Sequence, residues 1–345
     1  MTARASTIRV ADLASESECA RIDAFVTAQA DGTPFHLTGW LKAGAKGCGQ
    51  TAHYLLAEGQ DGAIIGALPL SEIRSPLFGA AMVSTGFGVD GGVLGEGVDA
   101  LAEAAWGLAG EKGIESVELR GGPVPDGWTA DADSYLGFVR PIAGDDEAEM
   151  KAIPRKQRAE LRKALAQDLE VVTGREPQML AEHYRVYAES VRNLGTPVFP
   201  AKLFREVVAR LDADVLTVRH DGRAVASVLN LSHGGTVYPY WGGGTHAARG
   251  LRANDLMYFA LMRHARQRGC DSFDFGRSKV GTGAAAFKKN WGFEGRPLVY
   301  ASRSVHGPRA LNPLNPKYAL MIALWKRLPV RVAQIVGPPI ARGLG

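Results

Sequence analysis

Short segments in which apolar and polar residues alternate occur in pairs, joined by Asp-Gly, in both halves of the chain. One pair covers His53–Leu70 and the other covers Val215–Leu231. Asp-Gly between two alternating segments is typical of a β-hairpin, because both residues tolerate the backbone angles of a tight hairpin turn. The sequence therefore predicts one hairpin in each half.

A second pattern recurs after the hairpins. Lys112–Arg120 and Arg268–Gly276 each begin where a helical pattern ends at a glycine, and each continues as an alternating strand. Because the hairpin and the helix–strand pattern come in the same order twice, one α/β unit is duplicated, and the acidic stretch Gly144–Glu149 lies near the junction. A repeat of this length predicts paired domains and not a solenoid.

The second unit shows the clearest order of elements. Pro154–Gln167 is predicted to be a basic helix, Pro177–Asn193 an amphipathic helix and Val237–Trp241 a strand. Asn254-Asp255 is expected to cap a further helix that ends at Arg268. A helix pair, antiparallel strands, a helix and a last strand resemble the GNAT acyltransferase fold.

The predicted fold class is therefore α/β (α+β), with tandem duplicated GNAT-like acyltransferase domains. We place the first domain at residues 1–148, and the second, which holds the expected active-site cleft, at 149–305. Residues 306–345 form a basic, apolar tail. A length of 345 residues is also long for a single core.

Composition narrows the protein class further. No apolar run is long enough to span a bilayer, and Met1–Val10 lacks the apolar core of a signal peptide. A cytoplasmic location is expected, with peripheral contact at the inner face of the membrane as the alternative. Cys19, Cys48 and Cys270 are scattered without metal-ligand spacing, so no metal site is predicted.

Charge is distributed unevenly along the chain. Residues 1–150 contain 9 Lys and Arg against 22 Asp and Glu, whereas residues 151–345 contain 31 against 14. The first part has a net charge of 9 − 22 = −13 and the second of 31 − 14 = +17. A basic half indicates an anionic partner, such as a phosphate-bearing or anionic small molecule, a glycan precursor or a nucleic acid.

The segment Phe273–Phe293 is the most informative stretch, with an apolar strand, a Gly-rich basic loop and an Ala-rich turn that presents Lys288 and Lys289 before Trp-Gly-Phe. It resembles the end of the second domain in the FemAB family of peptidyltransferases. The whole chain is similar to the FemAB-type proteins associated with the exosortase/PEP-CTERM system. The segments that carry this resemblance are Pro154–Arg158, Tyr187–Pro200, Tyr240–Gly244 and the tail segments Asn312–Tyr318 and Pro338–Gly345.

The resemblance implies residues that bind substrate. The family has Thr, any residue, then an Arg that contacts precursor phosphates, and Ser190-Val-Arg192 fits with Ser in place of Thr. The planar guanidinium of Arg192 suits a phosphate or carboxylate, although a surface arginine at a helix end is the alternative. Tyr240 matches a substrate-contacting tyrosine of the family, or else it is a core aromatic residue with a hydrogen-bonded hydroxyl.

The resemblance also implies a reaction channel. The family has a Phe-Lys pair beside it, which Phe287-Lys288 matches, and the Lys288 ammonium would stabilise the oxyanion formed during acyl transfer. Lys289 points elsewhere on the helical turn and is expected to contact solvent or phosphate. Arg277 and Lys279 flank a strand end, where they either bind phosphate or polymer carboxylates or lie in a solvated loop.

Proton transfer and the acyl donor are less defined. Asp274 alternates with two phenylalanines, so it is a candidate base that faces away from their apolar side, or a structural hydrogen-bond acceptor. No cofactor is expected to be bound permanently, and the donor is an aminoacyl-tRNA, an acyl carrier protein or an acyl-coenzyme A. Thr245–Asn254, which takes the place of the coenzyme A loop, has a single glycine and Arg252 where a small residue belongs.

Two functions follow from these observations. The first is an N-acyl or aminoacyl transferase that acts on a cell-envelope or exopolysaccharide-related precursor, in which an amine attacks the donor without a covalent enzyme intermediate. The second is a basic binding module without catalytic activity, for RNA or for a membrane-associated polysaccharide synthesis complex. The acid-free segment Gly295–Gly345 adds an expected peripheral membrane contact, or a helix that closes the first domain.

Overall fold

The computed structural model describes residues 7–307 and 319–345, and the predicted segment Asn312–Tyr318 lies outside them. The chain divides into two compact units. Within the described residues, one unit contains 7–133, 298–307 and 339–345, and the other contains 134–297 and 319–338. The predicted boundaries at 148 and 305 mark the duplicated segments along the sequence, and they stay a prediction.

The strands and helices that precede the middle of the chain are β1 (Thr7–Val10), α1 (Glu16–Ala28), α2 (Thr38–Cys48), β2 (Thr51–Glu58), β3 (Ile64–Ser75), β4 (Gly79–Ser84), β5 (Leu94–Gly95), α3 (Val98–Glu111), β6 (Ser116–Arg120) and β7 (Thr129–Pro141). In the first unit the strands run in the order β1-β2-β3-β4-β6-β13. Neighbours are antiparallel except β4 and β6, which are parallel. The helix α3 packs on one face of this sheet, while α1 and α2 pack on the other.

The elements of the second half are α4 (Asp146–Ala152), α5 (Arg155–Leu165), β8 (Glu170–Gly174), α6 (Pro177–Leu194), α7 (Ala201–Arg210), β9 (Ala213–His220), β10 (Arg223–His233), β11 (Thr236–Gly244), α8 (Ala248–Leu251), α9 (Ala253–Gln267), β12 (Ser272–Lys279), α10 (Gly283–Asn290), β13 (Gly295–Ser304), α11 (Ala319–Trp325) and α12 (Val330–Ala341). The second unit has the strand order β8-β9-β10-β11-β12-β7, with β11 and β12 parallel. Both predicted hairpins are present, as β2-β3 and β9-β10.

The two units have the same strand order, which confirms the tandem GNAT-like fold class. Each has an antiparallel meander of four strands, then a parallel neighbour, then an antiparallel strand at the far edge. The sequence did not predict which segment supplies that last strand. The last strand is β13 in the first unit and β7 in the second. Along the chain, β7 follows β6 of the first unit and β13 follows β12 of the second. Each unit therefore takes its last strand from the segment that follows the parallel strand of the other unit.

The core of the second unit is rich in aromatic residues. Phe273 and Phe275 of β12 alternate inward and contact Phe293, with ring centroids 5.7 and 5.0 Å apart. The fully buried Trp291 lies in the same cluster, beneath α9 and α10. Burial of large aromatic side chains is the main contribution to the stability of such a core, and here it fixes the position of β12 and of the helix that follows it.

None of the helices in the described part of the chain is both long enough and apolar enough to cross a bilayer.

Candidate functional site

The parallel strands β11 and β12 diverge soon after they meet. Their register contains only Thr236 opposite Ser272 and Val237 opposite Phe273. The strand β11 nevertheless continues along β10 as far as Gly244. The register between β11 and β12 therefore ends at Val237 and Phe273, while β11 itself runs on. Ligands of open α/β sheets commonly bind beyond the carboxyl ends of strands at such an opening.

Three successive glycines form the end of β11 at this opening. A Cβ on Gly242 would lie 2.8 Å from the Cβ of Val228, and one on Gly243 would overlap the Oγ of Ser190. A Cβ on Gly244 would overlap the side chain of Asn254. Gly243 and Gly244 are thus required for the close approach of α6 and α9 to this strand, and Gly242 for that of Val228 on β10. Ser190, a predicted substrate-binding residue, is placed directly against β11.

A bulge interrupts β12 on the other side of the opening. The register with β7 shifts between Asp274 and Arg277, and Gly276 has a φ of 70°. A non-glycine residue rarely adopts this angle, so glycine permits the bulge. The Asp274 carboxylate accepts a hydrogen bond of 2.7 Å from the Gly276 amide. Alternation places Asp274 opposite the buried phenylalanines, as the sequence predicts, and its side chain is half-buried.

Lys288 reaches this bulge from α10. Its Nζ donates hydrogen bonds of 2.9 Å to the carbonyl oxygens of Gly276 and Arg277. The residue is 9% exposed, and its Nζ lies 5.3 Å from the ring centroid of Phe138. An ammonium has three donors, so one N–H of Lys288 is left without a protein acceptor among the described residues. Lys289, by contrast, is exposed.

Burial changes the ionisation of both groups at the bulge. Burial lowers the pKa of Lys288 to about 8, although the nearby Asp274 charge favours its protonated form. Burial also raises the pKa of Asp274 to about 6, against the opposing effects of the Gly276 amide and of Lys288. Titratable groups that are perturbed in this way cluster at functional sites. Both perturbed groups lie at the β12 bulge.

The remaining predicted residues of this segment lie near the bulge. The Arg277 guanidinium stacks on the ring of Tyr135 at 4.8 Å from the centroid. Lys279 is half-buried at the end of β12. Phe287 packs against Tyr258, with ring centroids 5.7 Å apart, so its ring belongs to the core.

Tyr240 and Arg192 lie elsewhere in the second unit. Tyr240 is half-buried on β11, with its ring 5.1 Å from that of Trp241. Arg192, in the last turn of α6, donates a hydrogen bond of 2.9 Å from Nη1 to the carbonyl oxygen of Lys326. The structure therefore places Ser190 of α6 against Gly243 of β11, Tyr240 on β11 itself, and Arg192 against the residue that follows α11.

Sequence reasoning missed two buried polar groups. His183 is fully buried on α6, and its Nδ1 lies 2.9 Å from the Oγ of Ser227, which lies 2.8 Å from the Oγ1 of Thr217. Burial lowers the pKa of His183 to about 3, so the imidazole is neutral. Ser278 of β12 is also buried, and its Oγ has no hydrogen-bond partner among the described residues. No sequence motif marks either group.

The helix α9 begins earlier than the sequence predicts, so its N-cap is a different residue. Arg252 is the N-cap, with a φ of 56° and no side-chain capping bond, and α9 begins at Ala253. The expectation that Asn254-Asp255 caps the helix is wrong, because both residues lie within the first turn. The Asp255 carboxylate accepts a hydrogen bond of 2.5 Å from Gln157, and burial raises its pKa to about 6. Arg252 pairs with Glu160 at 2.5 Å.

We expect Gly243→Ala to destabilise the second unit by about 1–3 kcal/mol, because the added methyl would overlap Ser190. The measurement is urea unfolding of the single variants and of the double variant with Ser190→Gly. The double variant should recover part of the loss, since the two side chains compete for one space. Additive losses in the double variant would show that the overlap does not cause the effect.

Comparison with known proteins agrees with this architecture. Residues 153–289 match a family model described as an acetyltransferase (GNAT) domain. This match covers α5 to α10 and therefore includes the diverging strands, the bulge and Lys288. No curated protein matches the chain.

Several solved structures share the fold. A crystal structure of FemX matches with a TM-score of 0.67 and 16% identity over 88% of this chain and 98% of that chain. The C-terminal (DUF2156) domain of a protein described as a lysylphosphatidylglycerol synthetase from Agrobacterium fabrum matches with a TM-score of 0.56 and 15% identity, over 91% and 97%. A tandem GNAT protein from the clavulanic acid biosynthesis pathway has a TM-score of 0.50 and 14% identity, over 88% and 99%. The chain is thus a tandem GNAT-fold protein.

Proposed function

We propose that this protein transfers an acyl or aminoacyl group to an amine, in the manner of the FemAB family. The observations that carry the proposal are the early end of the β11–β12 register and the buried Lys288 on the β12 bulge, both inside the segment that matches a GNAT domain. The fold of FemX supports the same class of reaction. The likeness of Phe273–Phe293 and Tyr187–Pro200 to FemAB-type sequences adds to this support.

In the proposed reaction, the amine attacks the carbonyl carbon of an activated acyl donor. The new C–N bond forms as the carbonyl electrons move to oxygen, and the free N–H of Lys288 stabilises the resulting oxyanion. The oxyanion then collapses and the bond to the donor's leaving group breaks. The amine proton passes to the Asp274 carboxylate or to the leaving group. No covalent enzyme intermediate is required.

The donor is proposed to be an aminoacyl-tRNA or an acyl carrier protein in preference to acyl-coenzyme A. In a coenzyme A site, main-chain amides at a helix N-terminus hold the pyrophosphate. In this chain the first turn of α9 carries Asp255, and its N-cap Arg252 is already paired with Glu160. When the Asp255 carboxylate is ionised, its negative charge at this helix end repels a pyrophosphate.

The acceptor is proposed to be an anionic precursor of the cell envelope or of an exopolysaccharide. Arg277 and Lys279 would bind its phosphates or carboxylates near the bulge. Tyr240 of β11 and Ser190 of α6 would contact it, and Arg192 would do so if its bond to the Lys326 carbonyl is exchanged for a ligand. The resemblance to proteins associated with the exosortase/PEP-CTERM system supports the exopolysaccharide assignment.

The experiment that tests the proposal is a mass-spectrometric screen of donors. Purified protein is incubated with aminoacyl-tRNA, acyl carrier protein or acyl-coenzyme A pools, together with amino-sugar and peptide acceptors. We expect a product whose mass rises by the acyl or aminoacyl group, which the Lys288→Ala variant forms about a hundredfold more slowly or not detectably. Binding of RNA without any product from any donor would favour the non-catalytic binding module.

Turnover is expected to follow a bell-shaped dependence on pH, with its maximum between about 6 and about 8. The acidic limb reflects protonation of Asp274, whose pKa is raised to about 6, and the basic limb reflects loss of the Lys288 proton, whose pKa is lowered to about 8. Asp274→Asn should remove the acidic limb. It should also move the basic limb to lower pH, because the carboxylate that favours the charged lysine is gone.

A further inference from the structure

The two C-terminal helices expose large apolar side chains to an unusual degree. Met321 and Leu324 of α11 are 63% and 56% exposed, and Val332, Ile335 and Val336 of α12 are 38%, 75% and 43% exposed. Single exposed hydrophobic residues are ordinary on a protein surface, but a group this large on two consecutive helices is not. These five side chains form the C-terminal apolar face.

The exposed face of α12 is the more hydrophobic one. Val332, Ile335 and Val336 follow helical spacing on one stripe. The positions that the protein buries carry small residues instead, since Ala333 and Ala341 are fully buried and a Cβ on Gly337 would lie 2.6 Å from the Val198 amide nitrogen. A helix that packs on the core of a globular protein normally turns its large apolar residues inward. This helix turns small residues inward and large ones outward.

The helix α11 is held on the second unit by specific contacts. A Cβ on Gly195 would lie 2.5 Å from the Cγ2 of Ile322, so α11 packs closely on the end of α6. Arg192 donates a hydrogen bond to the Lys326 carbonyl just after α11. Leu194, next to this contact, is 67% exposed. The outward direction of Met321 and Leu324 is therefore set by packing.

Positive charge accompanies the apolar face. Lys326 and Arg327 follow α11, and Arg331 lies in the first turn of α12; all three are exposed. None of them forms an ion pair with the described residues. The sequence from Gly295 to Gly345 contains eight Lys or Arg and no Asp or Glu. Apolar side chains flanked by unpaired cations are the chemical complement of an anionic lipid surface.

We propose that the C-terminal apolar face binds the surface of an anionic membrane. Met321, Leu324, Val332, Ile335 and Val336 would enter the boundary between headgroups and acyl chains, while Lys326, Arg327 and Arg331 would contact the headgroup phosphates. The helices α11 and α12 would lie on the membrane surface and would not cross the bilayer. This inference is independent of the proposed transferase activity. A second copy of the chain is the competing occupant, but two copies would bring their cations together without any acidic partner in this segment.

The test is sedimentation of the full chain with vesicles at low salt, in which phosphatidylcholine alone is compared with phosphatidylcholine that contains phosphatidylglycerol. We expect the wild-type protein to sediment only with the anionic vesicles. Arg327→Gln with Arg331→Gln should weaken partitioning about twenty-five-fold, since each basic residue near such a surface contributes about fivefold. Val332→Ser with Ile335→Ser should weaken it about tenfold or more by removing inserted apolar area.

Matched variants control for general effects of charge and surface. Arg155→Gln with Lys156→Gln removes two exposed cations from α5, and Leu77→Ser removes a side chain that is 68% exposed in the first unit. Both should sediment like the wild type. Thermal unfolding and the donor screen check that each variant is folded and that a loss of lipid binding is separate from a loss of transfer.

Three results would overturn the proposal. One is recovery of the wild type in the supernatant with both vesicle types. Another is equal binding to neutral and anionic vesicles. The third is a dimer in light scattering that Val332→Ser with Ile335→Ser converts to a monomer, without any vesicle binding, which would assign the face to a second copy.

Discussion

Lys288→Ala is expected to lower kcat about a hundredfold or more, with a much smaller change in KM. A donor aimed at a developing oxyanion interacts mainly with the transition state, so its loss raises the barrier without weakening substrate binding equally. The structure gives Lys288 a single N–H that is not already bonded to the bulge, and it places the ammonium in an apolar setting beside Phe138. Electrostatic interactions are stronger there than in water.

Lys288 also holds the bulge in place, so the test must separate the two roles. Lys288→Arg keeps a cation that can still donate to the Gly276 and Arg277 carbonyls, but it moves the charge and should restore stability more than turnover. Lys289→Ala, which removes the exposed neighbouring cation, is the matched control and should keep kcat near the wild-type value. A Lys288→Ala variant with full turnover on any accepted donor would exclude the oxyanion role.

The fold could be read from the sequence because its signals are local. Asp-Gly turns and period-two alternation defined the hairpins, and a glycine after each helix marked the start of Lys112–Arg120 and Arg268–Gly276. The exchange of β7 and β13 between the units has no local signal. The alternation of apolar and polar residues in β7 and in β13 is compatible with pairing beside either β6 or β12. Long-range contacts therefore decide which strand pairs with which, and the local sequence pattern does not.

Less of the candidate site than of the fold could be predicted from the sequence. Helical phase alone separated Lys288 from Lys289, and alternation alone turned Asp274 away from the phenylalanines. The bulge at Gly276 could not be foreseen, since an isolated glycine in a strand is compatible with several backbone forms. The bond from Arg192 to Lys326 joins residues far apart in sequence, and no spacing rule predicts it.

The duplicated segments also show what the described residues of the first unit have in place of the Gly276 bulge. Arg120 of the first unit corresponds to Gly276 of the second, because Lys112–Arg120 and Arg268–Gly276 follow the same pattern. At this position the second unit has a glycine bulge whose carbonyl Lys288 engages. The first unit instead has a buried arginine that is 6% exposed and bonded to its own chain. The equivalent place is therefore filled by protein.

Arg120→Met is expected to destabilise the first unit by about 3–5 kcal/mol, which is the usual result of removing one member of a buried charged network. Arg120 donates hydrogen bonds of 3.0 Å to the Thr85 carbonyl, 3.2 Å to the Gly88 carbonyl and 2.9 Å to the Gly345 carbonyl. It also pairs with Glu118 at 2.7 Å. Methionine fills much of the volume but leaves these oxygens without donors, and each such buried group carries a penalty of about 1–3 kcal/mol.

Urea unfolding monitored by tryptophan fluorescence measures this loss. The control is Arg74→Met, in which an arginine side chain that is 54% exposed loses its pair with Glu72 and its bond to the Lys112 carbonyl. Because Glu72 keeps its contact with His53, stability should change by about 1 kcal/mol or less. Arg120→Lys keeps the charge but cannot reach carbonyls on several sides at once, so it should fall between Arg120→Met and the wild type. If Arg120→Met unfolds at the same urea concentration as Arg74→Met, the buried arginine does not hold the Thr85–Gly88 loop and the chain around Gly345 together. Another group would then have to hold the loop and the chain around Gly345 against β6.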